Sequence, residues 1–144
     1  HEYTWKISPL VKKRIKSLSD SKKSFLLKHN KKILEIFKEN ISLKNKIIEK
    51  NYVGFLMRYP MIVKNKIELL KFAEKNNLEV SGWYKTPVDP ISIQECEKLD
   101  WDIKSCSNSI INAQTIVTLP LNLKTSLSDA KRISKQINKF LNKD

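Results

Sequence analysis

The residues best suited to contact a ligand stand together at positions 83–90, which read WYKTPVDP. Trp83 and Tyr84 bring two aromatic ring faces, Lys85 brings a cation and Thr86 brings a hydroxyl, and together they suit a polar ligand. The two prolines stiffen the segment, because proline fixes its own φ and restricts the residue before it. This pattern suits a rigid loop that holds a ligand. Composition alone slightly favours the alternative, in which the two rings only cover the end of a sheet.

Residue types and spacings typical of an active site are missing from the rest of the sequence. The sequence shows no pairing of a nucleophile with a general base. A chain with two glycines is also too poor in glycine for a glycine-rich phosphate-binding loop. The two cysteines and two histidines lack the spacing of a zinc site. His29 falls near an apolar helical stripe, which predicts a partly buried, hydrogen-bonded side chain without a catalytic role. We therefore expect no catalytic residue, no metal and no activity of this chain alone.

The chain is strongly basic, since 28 Lys and Arg against 15 Asp and Glu give a formal charge of +13. A charge of this size attracts polyanions. Almost all of it is lysine, however, with arginine only at Arg14, Arg58 and Arg132. Arginine is the usual choice for bidentate contacts with phosphates and bases. A solvated lysine surface is therefore favoured over a nucleic-acid interface, although a basic nucleic-acid-binding module stays open as an alternative.

The sequence carries no signal for export or for insertion into a membrane. No uninterrupted apolar run approaches the length of a bilayer, and residues 1–10 lack the apolar segment of a signal peptide. Two cysteines are too few for a disulfide framework. We expect a cytoplasmic protein without membrane contact. The chain also begins at His1 rather than at Met, which favours a fragment of a longer protein.

The aromatic loop is expected to follow a strand, within a strand–helix–strand unit over residues 53–88. Residues 53–63 are apolar and rich in types that favour sheets, which predicts a largely buried strand bent at Pro60. An apolar stripe at helical spacing then predicts a helix over 66–76. Residues 78–84 alternate between two faces, which predicts a second strand that ends at the aromatic loop.

The remaining sequence predicts five further helices and one further strand. Capping residues and apolar stripes predict helices over residues 9–18, 21–40, 92–99, 105–114 and 126–141. The run TIVTL at 115–119 predicts a strand that ends at Pro120. Residues 41–52 show no sustained period, which predicts an irregular segment.

These elements predict an α+β fold, with a small three-stranded, mostly antiparallel sheet and helices packed on one face. A chain of 144 residues has the size of one ordinary domain. Within that single domain, 1–144, residues 1–20 form an N-terminal linking helix, and residues 21–144 form the sheet with its helices.

Two stretches resemble a known family: RYPMIVKNKIELLKFAEKNNLEVSGWYKTPVDP at 58–90 and SCSNSIINAQTIVTLPLNLKTSLSDAKRISKQINKFL at 105–141. They look like the C-terminal part of the DegT/DnrJ/StrS aminotransferases, pyridoxal-phosphate enzymes that aminate keto groups of nucleotide-linked sugars. That family shows a strand reading roughly fPilVknR, a helix, the pattern GI....WY..P.hP, a CP.AE helix, an LP strand and a last amphipathic helix. A similar succession runs through residues 22–141.

The resemblance implies that residues 21–144 are the small domain of a fold-type-I aminotransferase, which helps to close the substrate cleft. It implies a pyridoxal phosphate held mainly by a large domain outside this chain, a nucleotide-sugar substrate, an amino-acid amino donor and a homodimer. By position, Trp83, Tyr84 and Lys85 would face the substrate, with Arg58 as a further contact for its anionic group. A stand-alone, non-catalytic interaction domain derived from this fold is the other alternative.

Overall fold

The computed structural model describes residues 8–17, 20–48, 52, 54–92, 94, 95, 98 and 102–142. Within these residues the chain forms five α-helices and a two-stranded antiparallel sheet, which confirms the α+β class. In chain order the elements are α1 (Pro9–Ser17), α2 (Asp20–Asn40), β1 (Arg58–Ile62), α3 (Lys66–Lys75), α4 (Ser107–Thr115), β2 (Ile116–Pro120) and α5 (Leu127–Leu141). Two 3-10 turns, Leu43–Asn45 and Ile103–Cys106, precede β1 and α4.

The register of β1 against β2 explains how the sheet accommodates a proline. Pro60 lies opposite Thr118. The main-chain N–H and C=O of Thr118 instead bond to Ser81, on the other side of β2, at 2.8 and 2.9 Å. In an antiparallel pair of strands, facing residues alternate between hydrogen-bonded and non-hydrogen-bonded pairs. Pro60 and Thr118 form a non-hydrogen-bonded pair, so the missing N–H of Pro60 leaves no acceptor of β2 unsatisfied.

The three-stranded sheet predicted from the sequence is corrected to two strands. Among the described residues, the segment 78–84 contributes a single bridge, between Ser81 and Thr118. The alternation of its side chains was a valid strand signal, but the backbone does not stay extended. The N–H of Val80 bonds to the C=O of Leu78 at 3.0 Å, so the chain turns just before it reaches β2.

β1 is also shorter than the strand predicted over residues 53–63. The segment before it is attached to α2 rather than to the sheet, because the side-chain amide of Asn30 donates to the C=O of Leu56 at 2.7 Å. The same amide donates to the C=O of Leu121, just after β2, at 2.9 Å. Because the start of β1 faces the end of β2, one buried side chain thus satisfies the backbone next to both strands at the same end of the sheet.

The hydrophobic core lies on the sheet face that carries Tyr59, Met61, Val117 and Leu119, all fully buried. Side chains of a strand alternate between faces, so these four residues share one side of the sheet. α2 packs against α5, and α3 joins them in the same core. The helical residues that complete it are Ile33, Leu34, Phe37, Leu69, Ala73, Ala130, Ile133, Ile137 and Leu141.

The terminal helix α5 begins at the capping box that the sequence predicts. The hydroxyl of Ser126 accepts the N–H of Asp129 at 3.0 Å, and the carboxylate of Asp129 accepts the N–H of Ser126 at 3.3 Å. Both donors lie in the first turn, where a helix offers no internal acceptor. The predicted apolar stripe of α5 is buried in the core.

The helices predicted over 9–18, 21–40, 66–76 and 105–114 form as α1 to α4, each end within two residues of its predicted position. The helix predicted over 92–99 lies largely outside the described residues, as do residues 1–7, 18 and 19 of the linking segment. Of the helices that the structure describes, none is both long and apolar enough to cross a membrane.

Candidate functional site

The two aromatic rings of the loop are open to solvent. Trp83 is 56% exposed and Tyr84 is 58% exposed. Their ring centroids lie 5.5 Å apart with planes 20° from parallel, so the rings stack on each other. Neither ring is buried in the core, and the pair can offer an aromatic surface to a ligand.

A single carboxylate fixes the shape of this loop. Asp89 accepts the indole N–H of Trp83 at 2.9 Å through one oxygen and the main-chain N–H of Lys85 at 3.2 Å through the other. The Thr86 hydroxyl closes the far end by donating to the C=O of Ile91 at 2.5 Å. The loop is therefore held by its own hydrogen bonds, and the orientation of the Trp83 ring is set before a ligand arrives.

A buried lysine attaches the loop to the helices. Lys66, the first residue of α3, is only 7% exposed. Its amine donates to the C=O of Tyr84 at 2.7 Å and to the C=O of Ala113 in α4 at 2.6 Å. Burial lowers the pKa of this amine, and the nearby negative charge of Asp89 opposes the shift. Lys66 thus joins α3, α4 and the aromatic loop through one side chain.

Gly82 allows the loop to approach α3 closely. A Cβ atom at this position would lie 2.5 Å from Cδ1 of Leu70 and 3.1 Å from Cε of Lys66. Non-bonded carbon atoms do not approach to 2.5 Å, so any side chain here would displace the Cδ1 methyl of Leu70. The absence of a side chain keeps the base of the loop against α3.

An open groove of about 870 Å³ lies between the start of α3, residues 81–85 and the end of α4. Its cationic residues include Lys64, Lys71 and Lys85, all exposed. Its apolar wall includes Ile67 and Trp83. A groove with an apolar wall and a cationic rim suits a small anionic ligand that has a flat or apolar part.

The structure brings most of the predicted contact residues to this groove. Trp83 and Lys85 line it, and Tyr84 stacks on Trp83 beside it. Arg58 is not one of the lining residues. Its Nε donates to the hydroxyl of Thr118 at 2.8 Å, and its guanidinium lies 3.9 Å from the carboxylate of Glu79.

Sequence reasoning missed Lys66 and Asp89, which position the loop, and Lys64 and Lys71, which line the groove. Lysines of a chain this rich in lysine give no individual signal. A signal for Lys66 was nevertheless present, because this residue stands at the last position of YPMIVKNK, the stretch that resembles the family pattern fPilVknR. A signal for Asp89 was also present, since it is the one carboxylate of the stiff loop.

Outside the groove, His29 has the surroundings that the sequence predicts. It is partly buried, and its Nε2 lies 3.0 Å from the C=O of Thr125, to which it donates. Its ring stacks on Phe25 with centroids 6.1 Å apart. Within the described part of the chain, no group of three His, Cys, Asp or Glu side chains could hold a metal ion.

Comparison with known proteins adds no family to these observations. No protein-family model matches the chain, and no curated protein matches it significantly.

Proposed function

We propose that this chain is the C-terminal domain of a pyridoxal-phosphate-dependent nucleotide-sugar aminotransferase and helps to close its substrate cleft. The observation that carries the proposal is the exposed, stacked pair of Trp83 and Tyr84 beside Lys85, at the rim of an open groove. The order of motifs in the sequence supplies the reaction class. In this proposal the enzyme is cytoplasmic and works as a homodimer.

The role of the loop is to bind the substrate and exclude water. The rings of Trp83 and Tyr84 stack on the sugar or the base, and Lys85 meets the diphosphate. Asp89 and Lys66 hold these groups in place before binding, which reduces the entropy lost when the substrate is ordered. Arg58 would reach the anionic group of the substrate only by leaving Glu79.

The groove does not fit pyridoxal phosphate as a Schiff-base site of its own. A Schiff base needs an accessible amine, whereas Lys66 is buried and donates to two main-chain carbonyls. The other groove lysines named above are accessible but lie on the exposed rim, where a Schiff base would be open to hydrolysis by water. In the proposal the cofactor therefore belongs to the large domain, and the residues described here contribute substrate contacts.

The test uses the complete polypeptide that contains this chain. Purified protein is expected to be yellow, and the colour should disappear when the Schiff-base lysine of the large domain is replaced. Trp83→Ala and Tyr84→Ala should raise the KM for the nucleotide sugar by about fivefold or more, since stacking on a base contributes about 1–3 kcal/mol. A protein without cofactor absorbance or transamination would exclude the proposal.

A basic nucleic-acid-binding module is the second candidate, and the formal charge of +13 favours it. It predicts binding to single-stranded DNA or RNA that weakens steeply with salt, because phosphate contacts release counterions. Binding that is weak at 50 mM salt and changes little at 200 mM would argue against this candidate.

A further inference from the structure

We infer that the diphosphate of the ligand is held at the start of α3 by Lys64, Lys71 and Lys85, and not by Arg58. This inference rests on the proposed function, because it names the part of the groove that takes the anionic half of a nucleotide sugar. It assigns a binding role to Lys64 and Lys71, which are not among the ligand contacts predicted from the sequence.

The three lysines come from different parts of the fold and meet at one groove. Lys64 precedes α3, Lys71 lies in its second turn, and Lys85 belongs to the aromatic loop. All three are exposed. Among the described residues, none of the three lysines forms an ion pair with a carboxylate; Arg58–Glu79 and Arg132–Asp129 are pairs elsewhere in the fold.

The charge balance of the groove favours an anion. Glu68 is a carboxylate in its lining, against the three exposed lysines and the buried amine of Lys66. The groove also faces the first turn of α3, where the helix dipole adds partial positive charge to that of the lysines. The net field at the rim is positive, and a group with two phosphates matches it better than a single carboxylate does.

The apolar wall indicates what the anion is attached to. Ile67 is 69% exposed and Trp83 is 56% exposed, and both line the groove. A volume of about 870 Å³ falls within the range of small-molecule sites. A nucleoside diphosphate has the required parts, since its base can stack on Trp83 while its phosphates reach the lysines.

Arg58 is the natural rival, because arginine binds phosphate well. Its guanidinium is already occupied by Thr118 and Glu79, and it does not line the groove. The inference therefore makes opposite predictions for Arg58 and for the lysines.

The experiment titrates this 144-residue chain with uridine diphosphate and with inorganic diphosphate. Trp5 and Trp101 are replaced by phenylalanine, so that the fluorescence of Trp83 reports binding. Lys71→Met and Lys85→Met should each weaken binding of both ligands about two- to fivefold, the range expected for exposed charge pairs, and the double variant about tenfold. Lys135→Met, an exposed lysine of α5 away from the groove, should have no effect, and Arg58→Met should have none either.

Three results overturn the inference. The first is a loss of affinity in Arg58→Met that exceeds the losses in the lysine variants. The second is lysine variants that bind like Lys135→Met. The third is a chain that binds neither ligand up to about 10 mM, which corresponds to less than about 3 kcal/mol of binding free energy.

A third arm separates the nucleotide from nucleic acid, which carries the same phosphates and bases. If a single-stranded oligonucleotide binds more than a hundredfold tighter than uridine diphosphate, the inference that the groove takes a small nucleotide is overturned. Failure of the proposed function can be distinguished from failure of the diphosphate site. If the complete protein shows no cofactor absorbance, the proposed function fails, but the measured effects of the lysine substitutions on binding in this chain still stand. Conversely, if the complete protein catalyses transamination but binding does not depend on the lysines, only the assignment of the diphosphate site is wrong.

Discussion

The buried amine of Lys66 donates a 2.7 Å hydrogen bond to the main-chain carbonyl of Tyr84, 18 positions further along the chain. The same amine donates to the carbonyl of Ala113, 47 positions away. One side chain therefore joins three segments that are distant in sequence. The segment that carries the exposed aromatic pair is therefore held by this contact on one side and by the bridge between Ser81 and Thr118 on the other.

Replacing Lys66 by methionine should release the aromatic loop. Lys66→Met keeps the apolar stem but leaves the carbonyls of Tyr84 and Ala113 without their donor, which should lower the free energy of unfolding by about 1–2 kcal/mol. In a variant with Trp83 as the only tryptophan, quenching of its fluorescence by acrylamide should increase. Lys75→Met, an exposed lysine of the same helix, is the matched control. Equal stability and equal quenching in the two variants would contradict the role of Lys66.

The stability that Lys66 provides should depend on pH. Burial lowers its pKa in the folded protein, so in the unfolded chain, where the pKa is about 10.4, the amine holds its proton more tightly. Between these two pKa values the unfolded state binds more protons, and stability therefore rises with pH. A neutral amine still has two N–H groups for the two carbonyls.

Urea denaturation of wild type and Lys66→Met, measured from neutral pH to about pH 10, checks this expectation. The difference in unfolding free energy should move in favour of the wild type as pH rises towards 10.4, the unfolded value. The negative charge of Asp89 acts on the amine, and the other charged residues of the groove are Lys64 before α3, Glu68 and Lys71 of α3, and Lys85 of the loop. All of them are common to both proteins, so their contributions to the difference cancel to first order. A difference that is flat or falls with pH would be the opposite result.

Removing Asp89 should loosen the loop without unfolding the domain. Asp89→Ala removes the acceptor of the Trp83 indole and of the Lys85 N–H, both at the exposed end of the loop. We expect acrylamide quenching of Trp83 to increase and the unfolding free energy to fall by no more than about 1 kcal/mol. Glu74→Ala, an exposed carboxylate of α3, controls for the lost charge. Unchanged quenching in Asp89→Ala would show that the ring is held by other contacts.

Features set by neighbouring residues were predictable from the sequence. The capping box of Ser126 and Asp129 and the apolar stripe of α5 are local patterns, and both appear in the fold as expected. The aromatic loop was also predictable, since the two rings, the cation and the prolines are adjacent in the chain. Pattern reading succeeds here because the interactions span only a few positions.

Features set by distant contacts were not predictable in the same way. The third strand was predicted from the alternation of side chains, and this alternation does not reveal that the backbone turns between Leu78 and Val80. Lys66 was missed because lysine is normally exposed, and only the approach of Tyr84 and Ala113 makes its burial favourable. Arg58 was assigned to the anionic group by its type, and its contacts with Thr118 and Glu79 come from residues distant in sequence that this assignment did not consider.

Tyr59 should be replaceable by phenylalanine without loss of stability. Its ring is fully buried and packs on Phe37, with centroids 5.5 Å apart, while its hydroxyl finds no hydrogen-bond partner among the described residues. Burial also raises the pKa of this hydroxyl, as expected of a group that has lost its water. Tyr59→Phe keeps the ring contacts and removes the unsatisfied group, so the free energy of unfolding in urea should stay the same or rise by up to about 1 kcal/mol.

Tyr52→Phe, at an exposed position, is the control and should change the free energy of unfolding little. A loss of more than about 1 kcal/mol in Tyr59→Phe would mean that the hydroxyl makes a bond that stabilises the fold.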